Sequence, residues 1–160
     1  MTLREKVRQQ LSDRLLPELR RRGFEGPSKI DGNGLLHEFR RRKGDNTQVF
    51  TIQFEKYGLP RFVINVHIEP TAGVRSILTR GRTIVAGRAT PKRGRLTTRT
   101  WFRADQPILK RFFGSKSREA EAVSEVLAMI EEFEDWWSNP RPTEHIVDMS
   151  AIYLGKENAA

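Results

Sequence analysis

Residues 48–69 read QVFTIQFEKYGLPRFVINVHIE, and apolar residues recur at every second position through much of this stretch. Phe50, Ile52 and Phe54 alternate with polar residues, and the alternation resumes over residues 62–68 after a turn that contains Gly58. A period of two is typical of a β-strand that buries one face and exposes the other. The stretch therefore predicts two neighbouring antiparallel strands that share one apolar face.

The predicted sheet extends to both sides of this pair. Residues 35–42 precede it across the turn-forming tetrapeptide KGDN at residues 43–46, which favours a three-stranded antiparallel meander. Residues 82–88 and 95–102 together are rich in Thr, Ile and Val, and we expect a strand in each. The sequence thus predicts an antiparallel sheet of four to five strands within residues 35–103.

An amphipathic helix is predicted before the sheet. A Thr2–Glu5 capping box marks its first turn, and its apolar residues recur every four positions. They are Leu3, Val7, Leu11, Leu15 and Leu19. We expect a kink near Pro17 and an end at Gly23. Residues 25–34 contain three Gly and one Pro, which predicts a loop.

A second amphipathic helix is predicted over residues 117–138, with Ser117 as its N-cap and Glu on most of its outer face. Its apolar residues are Ala120, Val123, Leu127, Ile130, Phe133 and Trp137. Residues 143–160 are predicted to be a short tail element. The chain of 160 residues is therefore predicted to be a single α+β domain whose antiparallel sheet is packed on one face by the two helices.

Charge is sorted into three blocks along the chain. Residues 1–74 carry 14 Lys/Arg and 9 Asp/Glu, residues 75–118 carry 13 and 1, and residues 119–160 carry 2 and 10. We call the middle segment, with its net charge of +12, the basic block. So many like charges repel one another unless negative charge lies beside them, either on a polyanionic partner or on the chain's own acidic helix.

The basic block contains two Arg-Gly-Arg tripeptides, which carry paired guanidinium groups on a permissive backbone. The candidate polyanion-binding residues are Arg80, Arg82, Arg88, Lys92, Arg93, Arg95 and Arg99. Solvated arginines at hairpin tips are the alternative interpretation. Trp101 and Phe102 could stack on bases, but core positions are the more usual role of such residues.

Asn65, His67 and Glu69 form a second candidate site, because they share one face of a strand and lie close to Gln53 on the next. We call these four residues the polar row. A His beside a carboxylate can act as a general base or as half of a metal site. A metal needs three or four converging ligands, and the chain has three His and no Cys, so no metal or cofactor is predicted. A row of this kind is more often the solvated face of a sheet than a polar pocket, and we expect the solvated face.

Several common signatures are absent from the sequence. It contains no phosphate-binding loop, dinucleotide fingerprint, zinc-protease motif or serine-hydrolase motif, which weighs against an enzyme. The lack of Cys excludes disulfides and thiolate chemistry and suits a reducing cytoplasm. No segment approaches the roughly 20 apolar residues of a membrane span, so we expect a cytoplasmic protein with no membrane partner.

Short motifs occur in a set order over most of the chain. They are Leu19 with Gly23-Phe24, Phe39-Arg40-Arg41, Gln48-Val49 with Gln53, FVINV at residues 62–66, Thr100-Trp101-Phe102 and Trp136-Trp137. Their order resembles an uncharacterised bacterial family of domains of unknown function. The resemblance implies a fold and a bacterial origin, and it implies no catalytic residues.

Three functions remain open at this point. The leading hypothesis is a small basic binding module that contacts a polyanion such as nucleic acid through residues 75–103. The alternative is a protein-interaction or immunity-type module with a protein partner, and a further alternative is an enzyme that uses His67 and Glu69. Salt-sensitive retention on heparin favours the first, a stoichiometric protein partner the second, and a deep pocket at the histidine the third.

Overall fold

A computed structural model describes residues 1–29, 34–70, 85–91, 101–105 and 118–150. The helical elements are α1 (Leu3–Gln10), a π-helical turn (Leu11–Leu15), α2 (Leu16–Arg21), α3 (Glu119–Ala128) and α4 (Ile130–Ser138). The strands are β1 (Glu25–Lys29), β2 (Leu36–Lys43), β3 (Asn46–Phe54), β4 (Arg61–Pro70), β5 (Val85–Ala89), β6 (Phe102–Arg103) and β7 (Ile146–Asp148).

These strands form one antiparallel sheet in the order β1-β2-β3-β4-β5-β7, and β6 pairs with the start of β4. The register places Phe50 opposite Val66 and Ile52 opposite Ile64, so the alternating residues of both strands share one apolar face. The helices cover this face in one hydrophobic core. The predicted α+β class is confirmed, and the described residues alone supply seven strands where four to five were expected.

Two of the additional strands lie where the sequence predicted a loop and a tail element. β1 pairs with β2 at the edge of the sheet, where a strand needs hydrogen bonds on only one side and therefore tolerates Gly26, Pro27 and a bulge. Gly26 is required there, because its φ is +129° and a Cβ would lie 2.7 Å from the carbonyl oxygen of Glu38. β7 pairs with β5, where it buries Ile146.

The strand predicted over residues 82–88 corresponds to β5, which begins at Val85 and continues to Ala89. Only the last two residues of the strand predicted over residues 95–102 are described, because residues 92–100 lie outside the described residues; β6 begins at Phe102. Phe102 is fully buried, as expected of a core residue.

The N-terminal helix is irregular near Pro17, where a kink was predicted, and the irregularity is a π-helical turn just before the proline. The π-helical turn ends at Leu15, and Pro17 lies in the first turn of α2. In a regular α-helix the proline ring would crowd the carbonyl group of Asp13, and a wider preceding turn relieves that crowding. The helix ends as predicted at Gly23, whose φ is +86° and which is followed by a bond from the Phe24 N–H to the Leu19 carbonyl (3.0 Å).

The C-terminal helix is broken at Met129, and Arg118 rather than Ser117 occupies the N-cap position. Four of its predicted core residues are buried, whereas Ala120 and Leu127 are only half-buried. Trp136 is buried as well as Trp137, because both lie three or four residues after Phe133 and therefore on the same face of α4. Trp136 lies close to β5: a Cβ on Gly87 would meet it at 3.1 Å and Ile146 at 2.7 Å.

Candidate nucleic-acid interface

The carboxylates of α4 pair with arginines of the first charge block. Glu131 forms an ion pair with Arg22, and Glu134 lies 3.5 Å from Arg22 and 2.7 Å from Arg41. Burial of Glu134 opposes its ionisation, but the hydrogen bond and charge of Arg41 and the charge of Arg22 outweigh this effect and hold its pKa below the ordinary value. These contacts fix α4 to α2 and to β2.

Arg41 is the centre of this contact. Its Nη1 donates a hydrogen bond to the Arg22 carbonyl group at 2.8 Å, and its Nε donates to Gln48 at 3.0 Å. Its guanidinium group lies 4.4 Å from the ring centroid of Phe24 and 5.5 Å from that of Trp137. The side chain is therefore enclosed by aromatic and hydrogen-bonding groups and serves the fold.

The described arginines of the basic block mostly pair elsewhere. Arg88 in β5 donates from Nε to Asn65 at 2.8 Å, and Arg103 in β6 pairs with Asp105 at 2.6 Å. Only Arg118, at the start of α3, pairs with a carboxylate of that helix, Glu121 at 3.0 Å. Among the described pairs, the acidic helices therefore neutralise the first charge block more than the basic block.

The polar row is brought together much as predicted. Asn65 Nδ2 donates to Gln53 Oε1 at 3.2 Å, and His67 Nε2 lies 3.0 Å from Glu69 Oε1. Sequence reasoning missed Arg40, which reaches across β3 and donates from Nη1 to the other oxygen of Glu69 at 2.7 Å. The pairing of the three strands explains this contact. Arg40 in β2 lies opposite Val49 in β3, and Val49 lies opposite His67 in β4, so all three side chains share one face of the sheet.

The face of the sheet that carries this row is partly buried, where a solvated face was expected, and three of the four residues of the row are half-buried. Glu69 is buried, and so are Val49 and Val63 on the same face. Burial opposes the ionisation of Glu69, but hydrogen bonds from His67 and Arg40 outweigh it and lower the pKa. With both oxygens engaged, Glu69 is a neutralised buried carboxylate, which is a poor arrangement for a general base.

The structure leaves most of the predicted polyanion-binding residues undescribed. Arg80, Arg82, Lys92, Arg93, Arg95 and Arg99 lie outside the described residues. Arg88, with its contact to Asn65, lies on the same face as the polar row. Polyanion binding by these seven residues stays a prediction.

A different basic surface lies where the turn between β3 and β4 approaches α1. Two adjoining clefts of about 490 Å³ each share Leu35 and Lys56. We call the cations and aromatic residues that line them the basic groove. They are Arg4, Arg8, Phe54, Lys56, Tyr57, Arg61 and Trp101.

Each aromatic ring of the basic groove lies beside a cation. Tyr57 is 77% exposed, and the ammonium group of Lys56 lies 4.6 Å from its ring centroid. The guanidinium group of Arg61 lies 5.4 Å from the ring centroid of the half-buried Trp101. Sequence reasoning missed this surface because Arg4, the turn and Trp101 are far apart in the chain, although an exposed Lys-Tyr pair in a predicted turn was a usable signal.

The nearby carboxylates are engaged by the backbone. Glu55 is buried and accepts hydrogen bonds from the N–H groups of Tyr57 (2.8 Å) and Leu59 (3.2 Å), which hold the turn. It lies 4.0 Å from Arg61. Arg4 and Lys56 form no ion pair with any described residue, and the buried Nε of Arg4 has no hydrogen-bond partner. Glu5 also lines one cleft and accepts a hydrogen bond from the Thr2 N–H, so the groove carries four cations against two carboxylates and is net positive.

The three histidines occupy separate places: His37 is in β2, His67 in the polar row, and His145 Nδ1 lies 2.8 Å from Glu132. Across the described ranges, no group of three or more Asp, Glu or His could hold a metal ion. In the same ranges, no helix is long and apolar enough to cross a membrane.

The fold and the groove define an α+β protein with a basic, aromatic surface at one end of its sheet. No protein-family model, curated protein or solved structure matches the chain. The resemblance to a bacterial family of domains of unknown function therefore stays a prediction.

Proposed function

We propose that this protein is a small binding module for single-stranded nucleic acid and that the basic groove is its contact surface. The observation that carries the proposal is the exposed ring of Tyr57 beside the ammonium group of Lys56. Proteins that bind single strands combine cations that follow the phosphates with aromatic rings on which the bases stack. Tyr57 and Trp101 supply two such rings in one cleft.

The aromatic rings favour a single strand over a duplex. A base can stack on a side chain only when its face is not already covered by a neighbouring base, as in single strands and loops. Phosphate contacts alone would bind either form. Preference for the single strand therefore separates stacking in the groove from simple charge attraction.

The basic block enters this surface. Trp101 directly precedes β6, which pairs with β4 so that Arg103 lies opposite Arg61. We propose that arginines of the two Arg-Gly-Arg tripeptides add phosphate contacts. Glu131 and Glu134 of α4 pair with Arg22 and Arg41, which belong to the first charge block.

The first experiment is a fluorescence anisotropy titration of a labelled oligothymidine with the full chain at low salt. Loss of one stacking contact costs about 1 to 3 kcal/mol, so Tyr57→Ala should weaken binding roughly 5- to 150-fold. Leu59→Ala is the matched control, because Leu59 lies in the same turn and is 40% exposed but offers no aromatic ring. Equal weakening by both variants would rule out stacking on Tyr57.

Salt dependence tests the cations. On single strands each phosphate contact contributes about −0.7 to the slope of log K against log salt. The double change Arg4→Gln with Lys56→Gln removes two contacts and should make the slope less negative by about 1.4. Lys43→Gln should leave the slope unchanged, because Lys43 is an exposed cation at the end of β2, opposite the first residue of β3, and lines neither cleft. Absence of binding at low salt to oligothymidine and to duplex would favour the protein-partner alternative.

The predicted arginines are tested as a group. Changing Arg80, Arg82, Arg93 and Arg95 to Ala should flatten the single-strand slope by about 2.8 while leaving the melting temperature nearly unchanged. If these arginines are instead neutralised inside the fold, the same change should lower the melting temperature and leave weak binding unaltered.

A further inference from the structure

A cavity of about 210 Å³ lies between the N-terminal helical segment and the sheet, next to the basic groove. Its apolar walls come from Leu11 and Leu16 on one side and from Phe39, Ile52 and Phe54 on the other. An apolar cavity of about 150 Å³ is large enough to take up benzene. The space therefore fits one six-membered aromatic ring with a short substituent.

The polar groups of the cavity are Arg8, Ser12 and His37. The guanidinium group of Arg8 lies 4.9 Å from the ring centroid of Phe54, and the ring of His37 meets the same ring edge-on at 5.9 Å. Ser12 belongs to the π-helical turn, and such turns often occur at functional sites. Hydrogen-bond donors therefore adjoin an aromatic wall.

Positive charge is concentrated at this wall. The guanidinium group of Arg4 also lies against Phe54, at 5.4 Å from its ring centroid. Burial and the charge of Arg4 lower the pKa of Arg8. Glu5, the acidic residue between them, accepts a hydrogen bond from the Thr2 N–H in the capping box of α1. Arg8 donates one hydrogen bond to the Gly34 carbonyl group at 2.8 Å, which leaves several of its five N–H groups for another acceptor.

We propose that this cavity binds a small arene monocarboxylate, whose ring lies against Phe39, Ile52 and Phe54 and whose carboxylate accepts hydrogen bonds from Arg8. The guanidinium fork matches a carboxylate in geometry and charge. The cavity adjoins the basic groove and shares Arg8 and Phe54 with it, whereas Leu16 lines the cavity and neither cleft.

Phenylacetate is the probe, and the measurement is a two-dimensional ¹H–¹⁵N NMR titration of the full chain. We expect saturable shifts for amides of Leu11–Leu16 and of the β2 and β3 residues that line the cavity. Arg8→Gln should weaken phenylacetate binding at least tenfold. Arg20→Gln, an exposed arginine on α2, is the matched control and should bind as the wild type does.

The neutral analogue 2-phenylethanol keeps the aromatic ring but lacks the carboxylate, so it separates the contributions of the two groups to binding. It should bind the wild type at least tenfold more weakly than phenylacetate and should bind the Arg8→Gln variant no more weakly than the wild type. Leu16→Phe should fill the cavity and abolish phenylacetate binding while leaving oligothymidine binding intact. If that variant does not fold, the Arg8→Gln titration decides. Shifts that do not saturate, or equal affinity of the wild type and Arg8→Gln for phenylacetate, would overturn the proposal.

Discussion

Replacing Glu134 by Gln tests how α4 is held on the sheet. The change keeps the shape of the side chain and removes the charge that faces Arg41, and the two side chains are 20% and 13% exposed. Removing one partner of a fully buried pair costs about 3 to 5 kcal/mol, whereas an exposed pair is worth less than about 1. Because the site is partly exposed and Arg41 keeps Gln48 and the Arg22 carbonyl group, we expect a loss of about 2 kcal/mol.

Glu131→Gln is the matched control. Glu131 lies one turn earlier on the same helix and pairs with Arg22, but its side chain is 76% exposed. The same chemical change should therefore cost no more than about 0.5 kcal/mol. The contrast between the two variants tests burial together with the pair to Arg41, since the helix, the residue type and the partner Arg22 are the same.

The assay is urea unfolding followed by tryptophan fluorescence, since Trp136 and Trp137 lie in α4. Glu134→Gln should lower the midpoint without changing the slope, and a loss of about 2 kcal/mol corresponds to roughly 4 to 8 °C in melting temperature.

The pKa of Glu134 is lowered on folding from its ordinary value of 4.5, so its contribution to stability is present above pH 4.5 and is lost as pH falls through the folded pKa. The gap between wild type and Glu134→Gln should therefore narrow below pH 4.5. Equal losses in the two variants, or a gap that persists in acid, would refute the reasoning.

Three further outcomes follow from the packing. A chain ending at Ser117 lacks α3, α4 and β7 and should show no cooperative thermal transition; a native-like circular dichroism spectrum with such a transition would contradict the core assignment. Gly87→Ala should destabilise the fold by about 1 to 3 kcal/mol in urea, because its Cβ would lie 2.7 Å from Ile146, and an unchanged midpoint would argue against that close approach. Val63→Ala should cost more than about 1 kcal/mol, as in a core, whereas a loss below about 0.5 would mean that the polar-row face is solvated after all.

The meander was predictable because alternation fixes both the strands and the face that each residue joins. The additional strands were not, since Gly26 and Pro27 read as turn residues and only an edge position lets them join a strand. The same alternation sorts residues between faces but does not say what covers a face. Val49 and Val63, apolar residues beside the polar row, were the signal that this face is buried. The basic groove depends on contacts between distant segments, which local patterns do not report.

The pairing of β7 with β5 has a consequence for biosynthesis. A ribosome releases β4 and β5 early, but the second edge of β5 stays without its neighbour until Ile146–Asp148 have been made. Open strand edges recruit other chains, and contacts between distant segments form slowly. The rate of translation between these two strands therefore sets how long the nascent chain exposes the unpaired edge of β5. We expect the chain to depend most on chaperones during this part of its synthesis.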